Sequence, residues 1–205
     1  MTRSERWDRL LTAVGKDIPG FRIAYKDESK FQRFLNSISF FNDYMSGNTT
    51  LYPVIYFENR KMVYANHPVE TLEHEWVHLK DAKTFFGLLP FMPSWVNSKL
   101  FYLSYLFPQI LAVGVLLIPL FPAFFLCAFF FLPLPAPFRM WAEIRAYRRS
   151  LELSTHKKSS IINYTKHFTS QEYFFMWPFK NQIIRLLQKP SPYKEEMDAA
   201  RKINV

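Results

Sequence analysis

With one cysteine, Cys127, in 205 residues, the chain cannot close an internal disulfide. Cys127 sits in the most apolar stretch and reads as a buried, inert thiol, and no other feature argues for an oxidising compartment. Glycine is scarce at 5, against 22 Phe and a hydrophobic fraction of 49%, which excludes a disordered chain. The N-terminal residues, Arg3, Arg6 and Arg9 among Glu5, Trp7 and Asp8, lack the apolar core of a secretory signal. Charge is absent altogether from residues 100–138. The formal net charge is +9, yet there is no recognisable nucleic-acid fold signature and the aromatics fall in apolar runs. Both points argue against a nucleic-acid binder.

Histidine is rare as well, at 5, which makes the grouping His74-Glu75-Trp76-Val77-His78 informative. Side chains at i and i+4 of a helix share one face, so His74 and His78 can offer two imidazole nitrogens to one metal ion. Glu75 is placed beside them as a base for water. Two ligands with a base form the core of a zinc peptidase site, which makes Zn2+ the expected cofactor.

The flanking pattern places that helix in an α+β fold. Trp7, Leu10, Leu11 and Val14 have helical spacing, Pro19-Gly20 turns the chain, and residues 21–26 read as a strand. Asp27 is a candidate N-cap for a helix whose stripe is Phe31, Phe34, Leu35, Ile38 and Phe41, ending at Gly47-Asn48. Residues 51–57 and 61–65 read as an antiparallel hairpin around Glu58-Asn59-Arg60. Pro68 suits the first turn of the histidine helix and Gly87 its stop. An edge strand above the metal can pair with an extended peptide or protein substrate.

A membrane helix needs about 20 residues, so the charge-free stretch has room for two short spans. Residues 100–117 and 120–136 are the candidates, turning near Pro119 and Pro122. Pro108 and Gly114 distort the first, and Pro133, Pro135 and Pro137 end the second. A buried hairpin or a re-entrant loop is the alternative. Lys99 and Arg139 bracket the stretch, and Arg145, Arg148, Arg149, Lys157 and Lys158 follow it, a cluster that favours lipid headgroups. The positive-inside rule then puts both ends, and the pentapeptide, on the cytoplasmic side of a membrane.

A catalytic zinc site needs a third protein ligand. Asp81 lies seven residues after His74, about 10 Å along a helix, too far for a shared ion. It suits a supporting role at i+3 from His78, accepting the free imidazole N–H, with an exposed helix carboxylate as the alternative. After the apolar stretch, Glu143 is the one acid in the segment Arg139 to Tyr147, which makes it the candidate third ligand. Ala146 permits close helix approach. Tyr147, one turn beyond Glu143, can steady a ligand or oxyanion, or anchor a helix interface. His67, His156 and His167 read as surface or capping residues.

His74-Glu75-x-x-His78, an apolar hairpin and then Glu143-x-x-Ala146 resemble the gluzincin metallopeptidases. Within them, the likeness is to the integral-membrane group of the HtpX heat-shock protease and the CAAX prenyl protease. The resemblance covers residues 51–150 and implies zinc on His74, His78 and Glu143, with Glu75 as base. Tyr147 stands where that group has Asp, and no apolar span precedes the pentapeptide. The chain therefore reads as a minimal gluzincin with one inserted transmembrane helical hairpin. Its expected parts are residues 1–99 (α+β, pentapeptide), 100–138 (hairpin), 139–189 (helical, third ligand) and 190–205, a loosely held tail. The expected activity is a membrane-anchored endopeptidase. The alternative is an interaction protein that keeps the scaffold without turnover.

Overall fold

The computed structural model describes residues 2–38, 45, 47–131, 134–170 and 176–202. Helix α1 (Arg3–Asp17) starts at a capping box, in which Thr2 Oγ1 accepts from Glu5 N at 3.2 Å and Glu5 Oε2 accepts from Thr2 N at 2.9 Å. It buries Trp7, Leu10 and Val14. Strand β1 (Arg22–Tyr25) follows, then α2 (Lys30–Ile38), β2 (Thr49–Leu51) and β3 (Val54–Phe57). The three strands form one mixed sheet in the order β1-β3-β2, with β1 parallel and β2 antiparallel to β3.

The sheet differs from the antiparallel hairpin that the sequence suggests. Tyr52 and Pro53 already turn the chain between β2 and β3, and β1 takes the other edge of β3. No edge of β3 remains for residues 61–65. They form part of α3 (Arg60–Asn66) instead, with Val63 buried and Tyr64 exposed. The start of α2 also moves: Ser29 Oγ, not Asp27, accepts the Gln32 amide at 3.3 Å. Phe31 and Phe34 face outward while Gln32 is buried, so the expected inward stripe is not the buried face. Phe41 and the side chain of Ile38 lie outside the described residues.

Helix α4 (Val69–Thr84) carries the pentapeptide and is buried almost all round. Pro68 caps it, and it ends in three successive left-handed residues, Phe85, Phe86 and Gly87. Helix α6 (Pro137–Leu153) packs against it in antiparallel sense: Glu73 meets Arg149 near one end and Asp81 meets Arg145 toward the other. Ala82, Ala142 and Ala146 are fully buried. Glu73, Asp81, Arg145 and Arg149 are buried between the helices. An unpaired charge there would cost several kcal/mol, so the two pairs favour one register of α4 on α6.

These pairs correct two expectations. Arg145, Arg148 and Arg149 do not face lipid: the first and third sit in buried ion pairs, and Arg148 Nε donates to Leu186 O at 2.8 Å. Lys157 and Lys158 alone of that cluster are exposed. The expected tail is held as well, as far as residue 202. Helix α9 (Lys194–Lys202) buries Met197 completely, and its Glu196 and Asp198 pair with Lys80 and Arg149.

Between α4 and α6 lie α5 (Ser94–Tyr105) and two 3-10 segments, Gln109–Leu117 and Pro122–Phe131, which pack as the arms of a hairpin. The expected pair of α-helical spans is thus replaced by shorter elements. Among the described residues, no single helix is long and apolar enough to cross a membrane. Helix α5 and the first arm reach that length only together, and they are bent by 85° at the break. Gly114 makes the arms' contact possible, since a Cβ there would fall 2.5 Å from Cys127 Sγ. Pro137, expected to end a span, opens α6; Pro133 lies outside the described residues.

Helices α7 (Lys157–Thr169) and α8 (Lys180–Leu187) pack on the far side of α6, where Phe168, Met176, Ile183 and Leu187 form a second core with Ile144 and Leu151. Tyr173, Phe174 and Phe175 of the aromatic run lie outside the described residues; Met176 is buried.

Candidate metal centre

The helical repeat of α4 turns His74, Glu75 and His78 toward one cavity of about 870 Å³. On α6, Glu143, Tyr147 and Ser150 follow one another at helical spacing and line the same cavity. Glu143 Oε2 lies 3.7 Å from His74 Nε2 and 3.8 Å from His78 Nε2. One donor atom from each residue falls within 4.8 Å of the other two.

A metal ion fits these residues. Ligand atoms around a tetrahedral ion with bonds of about 2.0–2.2 Å sit about 3.3–3.6 Å apart, within a few tenths of an ångström of the two distances from Glu143 to the imidazoles. The neighbours support it. Ser150 Oγ lies 3.2 Å from His74 Nδ1, a contact that orients the ring with Nε2 toward Glu143; with the proton on Nδ1, Nε2 would be free to bind an ion. Tyr105 donates to Glu143 Oε1 at 2.6 Å, which leaves Oε2 as the oxygen turned to both imidazoles.

Electrostatics agree with the geometry. Burial pushes the Glu143 pKa up, but the hydrogen bond and charge of His74, the charge of His78 and the Tyr105 hydroxyl outweigh it, and the pKa falls to about 2. Burial works against a charged His74, yet the Glu143 and Glu75 carboxylates raise its pKa. Glu143 is therefore an anion in front of two imidazoles. A cation there would satisfy all three.

Glu75 stands at the cavity wall with its carboxylate fixed by Thr50, whose hydroxyl donates to Oε2 at 2.5 Å. Thr49, Thr50 and Leu51 belong to β2, the sheet edge, and also line the cavity. Lys26 completes that side, its pKa depressed to about 8 by burial despite the nearby Glu75 and Glu58.

Asp81 is not where its spacing suggested. Arg145 holds it through Nε and Nη2 at 2.8–3.0 Å, and Tyr193 donates to it at 2.8 Å. His78 Nδ1 is buried without a hydrogen-bond partner among the described residues. Asp81 thus contributes to helix pairing rather than to the imidazole. Tyr147 packs edge-on against His74 at 4.7 Å and stacks on Tyr164 at 4.4 Å, as an aromatic wall of the cavity. His67 adopts φ 42° at a turn, His156 is exposed, and His167 stacks beside Tyr147 at 6.3 Å; none belongs to the metal group.

Sequence reasoning missed Thr50, Tyr105 and Ser150. Ser150 was within reach, because it lies seven residues after Glu143 on the same helical face. Thr50 and Tyr105 come from other elements and leave no local signal. The sequence matches no protein-family model, and neither a curated protein nor a solved structure is significantly similar to it.

Proposed function

We propose that this chain is a membrane-attached, zinc-dependent endopeptidase of gluzincin type. The observation that carries the reading is the convergence of His74, His78 and Glu143 across two helices, with Glu75 on the wall of the same cavity. Two imidazoles and a carboxylate form a donor set suited to zinc, with room left for substrate or water. Zinc bound there supplies Lewis acidity toward a carbonyl oxygen and toward water.

The chain's own groups do the rest. Glu75, held by Thr50, takes a proton from the attacking water and delivers it to the leaving amine. Strand β2 lies at the edge of the sheet and lines the cavity, so an extended peptide can pair with it and bring a bond in front of Glu75. Ser150 and Tyr105 hold His74 and Glu143 in their ligand orientations. Attachment to a membrane is supported by the charge-free hairpin and its exposed apolar side chains.

The test is Glu75→Gln, with zinc content and cleavage of an unstructured polypeptide measured side by side. The expected outcome is retained zinc and a fall in turnover of about 10²–10⁴-fold. Undiminished cleavage by that variant would remove Glu75 from the reaction. If the wild type holds zinc but cleaves nothing, the chain is instead a non-catalytic interaction protein on the same scaffold.

A further inference from the structure

We propose that the hairpin enters only one leaflet of an anionic bilayer, with α5 lying along the headgroup region. This rests on the membrane attachment proposed above and differs from the transmembrane hairpin that the sequence suggests. The arm lengths decide between the two. Nine residues, Gln109–Leu117, and ten, Pro122–Phe131, at the 3-10 rise of about 2.0 Å give arms of about 18 and 20 Å. A bilayer's hydrocarbon core is about 30 Å thick, so one leaflet is about 15 Å. Each arm is long enough to cross one leaflet and too short to cross two.

The surface of the arms fits hydrocarbon. Leu116, Leu120, Phe121 and Leu126 are 77%, 70%, 62% and 63% exposed, and no charged residue accompanies them. Gln109, at the start of the first arm, is turned inward: its Nε2 donates to Leu134 O at 3.0 Å.

Helix α5 has polar residues on its buried face and large apolar residues on its exposed face. It buries Asn97 and Ser98 beside Phe101 and exposes Trp95, Leu103 and Lys99. Asn97 Nδ2 donates inward, to Lys83 O, Leu89 O and Met92 O. The 85° bend between α5 and the first arm allows the helix to lie flat while the arm points into the bilayer.

The base of the hairpin has the composition of a membrane interface. Lys99 Nζ sits 5.0 Å from the Trp95 ring and the Arg139 guanidinium 5.4 Å from the Tyr105 ring, while Phe179 and Lys180 are exposed on a segment tied to that base by Ala136 N donating to Met176 O. Amphipathic aromatics with Lys and Arg anchor proteins at headgroup depth, and the cations select anionic lipid. Phe101, Tyr102, Tyr105 and Leu106 belong both to this base and to the metal cavity, so the cavity shares a wall with the membrane-facing surface.

The test uses the full chain and protein-free vesicles of phosphatidylcholine with or without phosphatidylglycerol. Flotation measures attachment, and a fluorophore on Leu120→Cys in a Cys127→Ala background reports depth against nitroxide-labelled lipids. An impermeant thiol reagent sealed inside the vesicles reports crossing of the far leaflet. The result expected is flotation enhanced by phosphatidylglycerol, quenching by nitroxides deep in the acyl chains, and no modification of the unlabelled Leu120→Cys variant from the lumen. Lys99→Glu should weaken attachment to anionic vesicles about tenfold. Modification from the lumen would overturn the single-leaflet depth and leave attachment standing. Absence of flotation, or a dimer that shields Leu120→Cys in water, would overturn attachment itself. Zinc content of the same samples reports separately on the metal centre and verifies that each variant is folded.

Discussion

Helices α4 and α6 keep charge inside the protein, whereas the hairpin between α5 and α6 keeps apolar side chains outside. Glu73, Asp81, Arg145 and Arg149 are buried; Leu116, Leu120, Phe121 and Phe125 are exposed. Each region departs from the usual partition between core and surface. The departures differ in what compensates them. The buried charges find one another within the chain, through Glu73–Arg149 at 2.6 Å and Asp81–Arg145 at 2.8 Å. The exposed apolar groups lie along a stretch with no charged residue, and their compensation is sought in a partner outside the chain. The self-sufficient inversion positions the candidate metal ligands, and the dependent one is the part that we propose meets the bilayer.

Breaking the first region should cost most. Arg149→Met leaves Glu73 buried without its cation and removes the contacts to Glu152 and Asp198, so unfolding in denaturant should reveal a loss of about 3–5 kcal/mol. The double variant with Glu73→Leu should recover a large part of it, because the uncompensated charge goes too. A single-variant loss below about 1 kcal/mol would mean that the helix pair does not depend on the ion pairs.

A smaller effect belongs to Lys26. Its folded pKa of about 8 lies below the ordinary lysine value of 10.5, so between those values the unfolded chain holds the proton and the folded chain does not. Stability therefore rises with pH across that window. Lys26→Met should remove this rise, seen as the difference between the two proteins' unfolding free energies from about pH 7 to pH 10. Parallel pH profiles for the two proteins would contradict it.

The smallest effect on stability is expected in the hairpin. Leu116→Ser, on an exposed side chain, should change the unfolding free energy in water by no more than about 0.5 kcal/mol. The same change should lower vesicle binding by about tenfold, since a buried leucine side chain is worth about 1.5–3 kcal/mol of transfer. Equal effects on both readouts would erase the distinction between the regions.

The contrast also shows what is legible in the sequence. His74, Glu75 and His78 are set by spacing within one helix, and Glu143 and Ser150 by spacing within another, so local periodicity points to both faces. Spacing alone assigns Asp81 to His78, because the two are neighbours on α4. Its actual partner, Arg145, is 64 residues away, and nothing local announces it. Residues 61–65 read as a strand because a short run with β-branched and aromatic residues fits either period; the occupancy of both edges of β3 decides the matter. The charged C-terminus reads as solvated for the same reason that the arginines of α6 read as lipid-facing. In both, the counter-charge lies on a distant element.

Glu143 reaches across from α6 toward His74 and His78, the group that we propose holds the metal. The decisive measurement is elemental analysis of purified wild type and Glu143→Ala after equal dialysis against a zinc buffer. One zinc per wild-type chain and none in the variant is the expected outcome. Full zinc occupancy in a folded Glu143→Ala protein would contradict it.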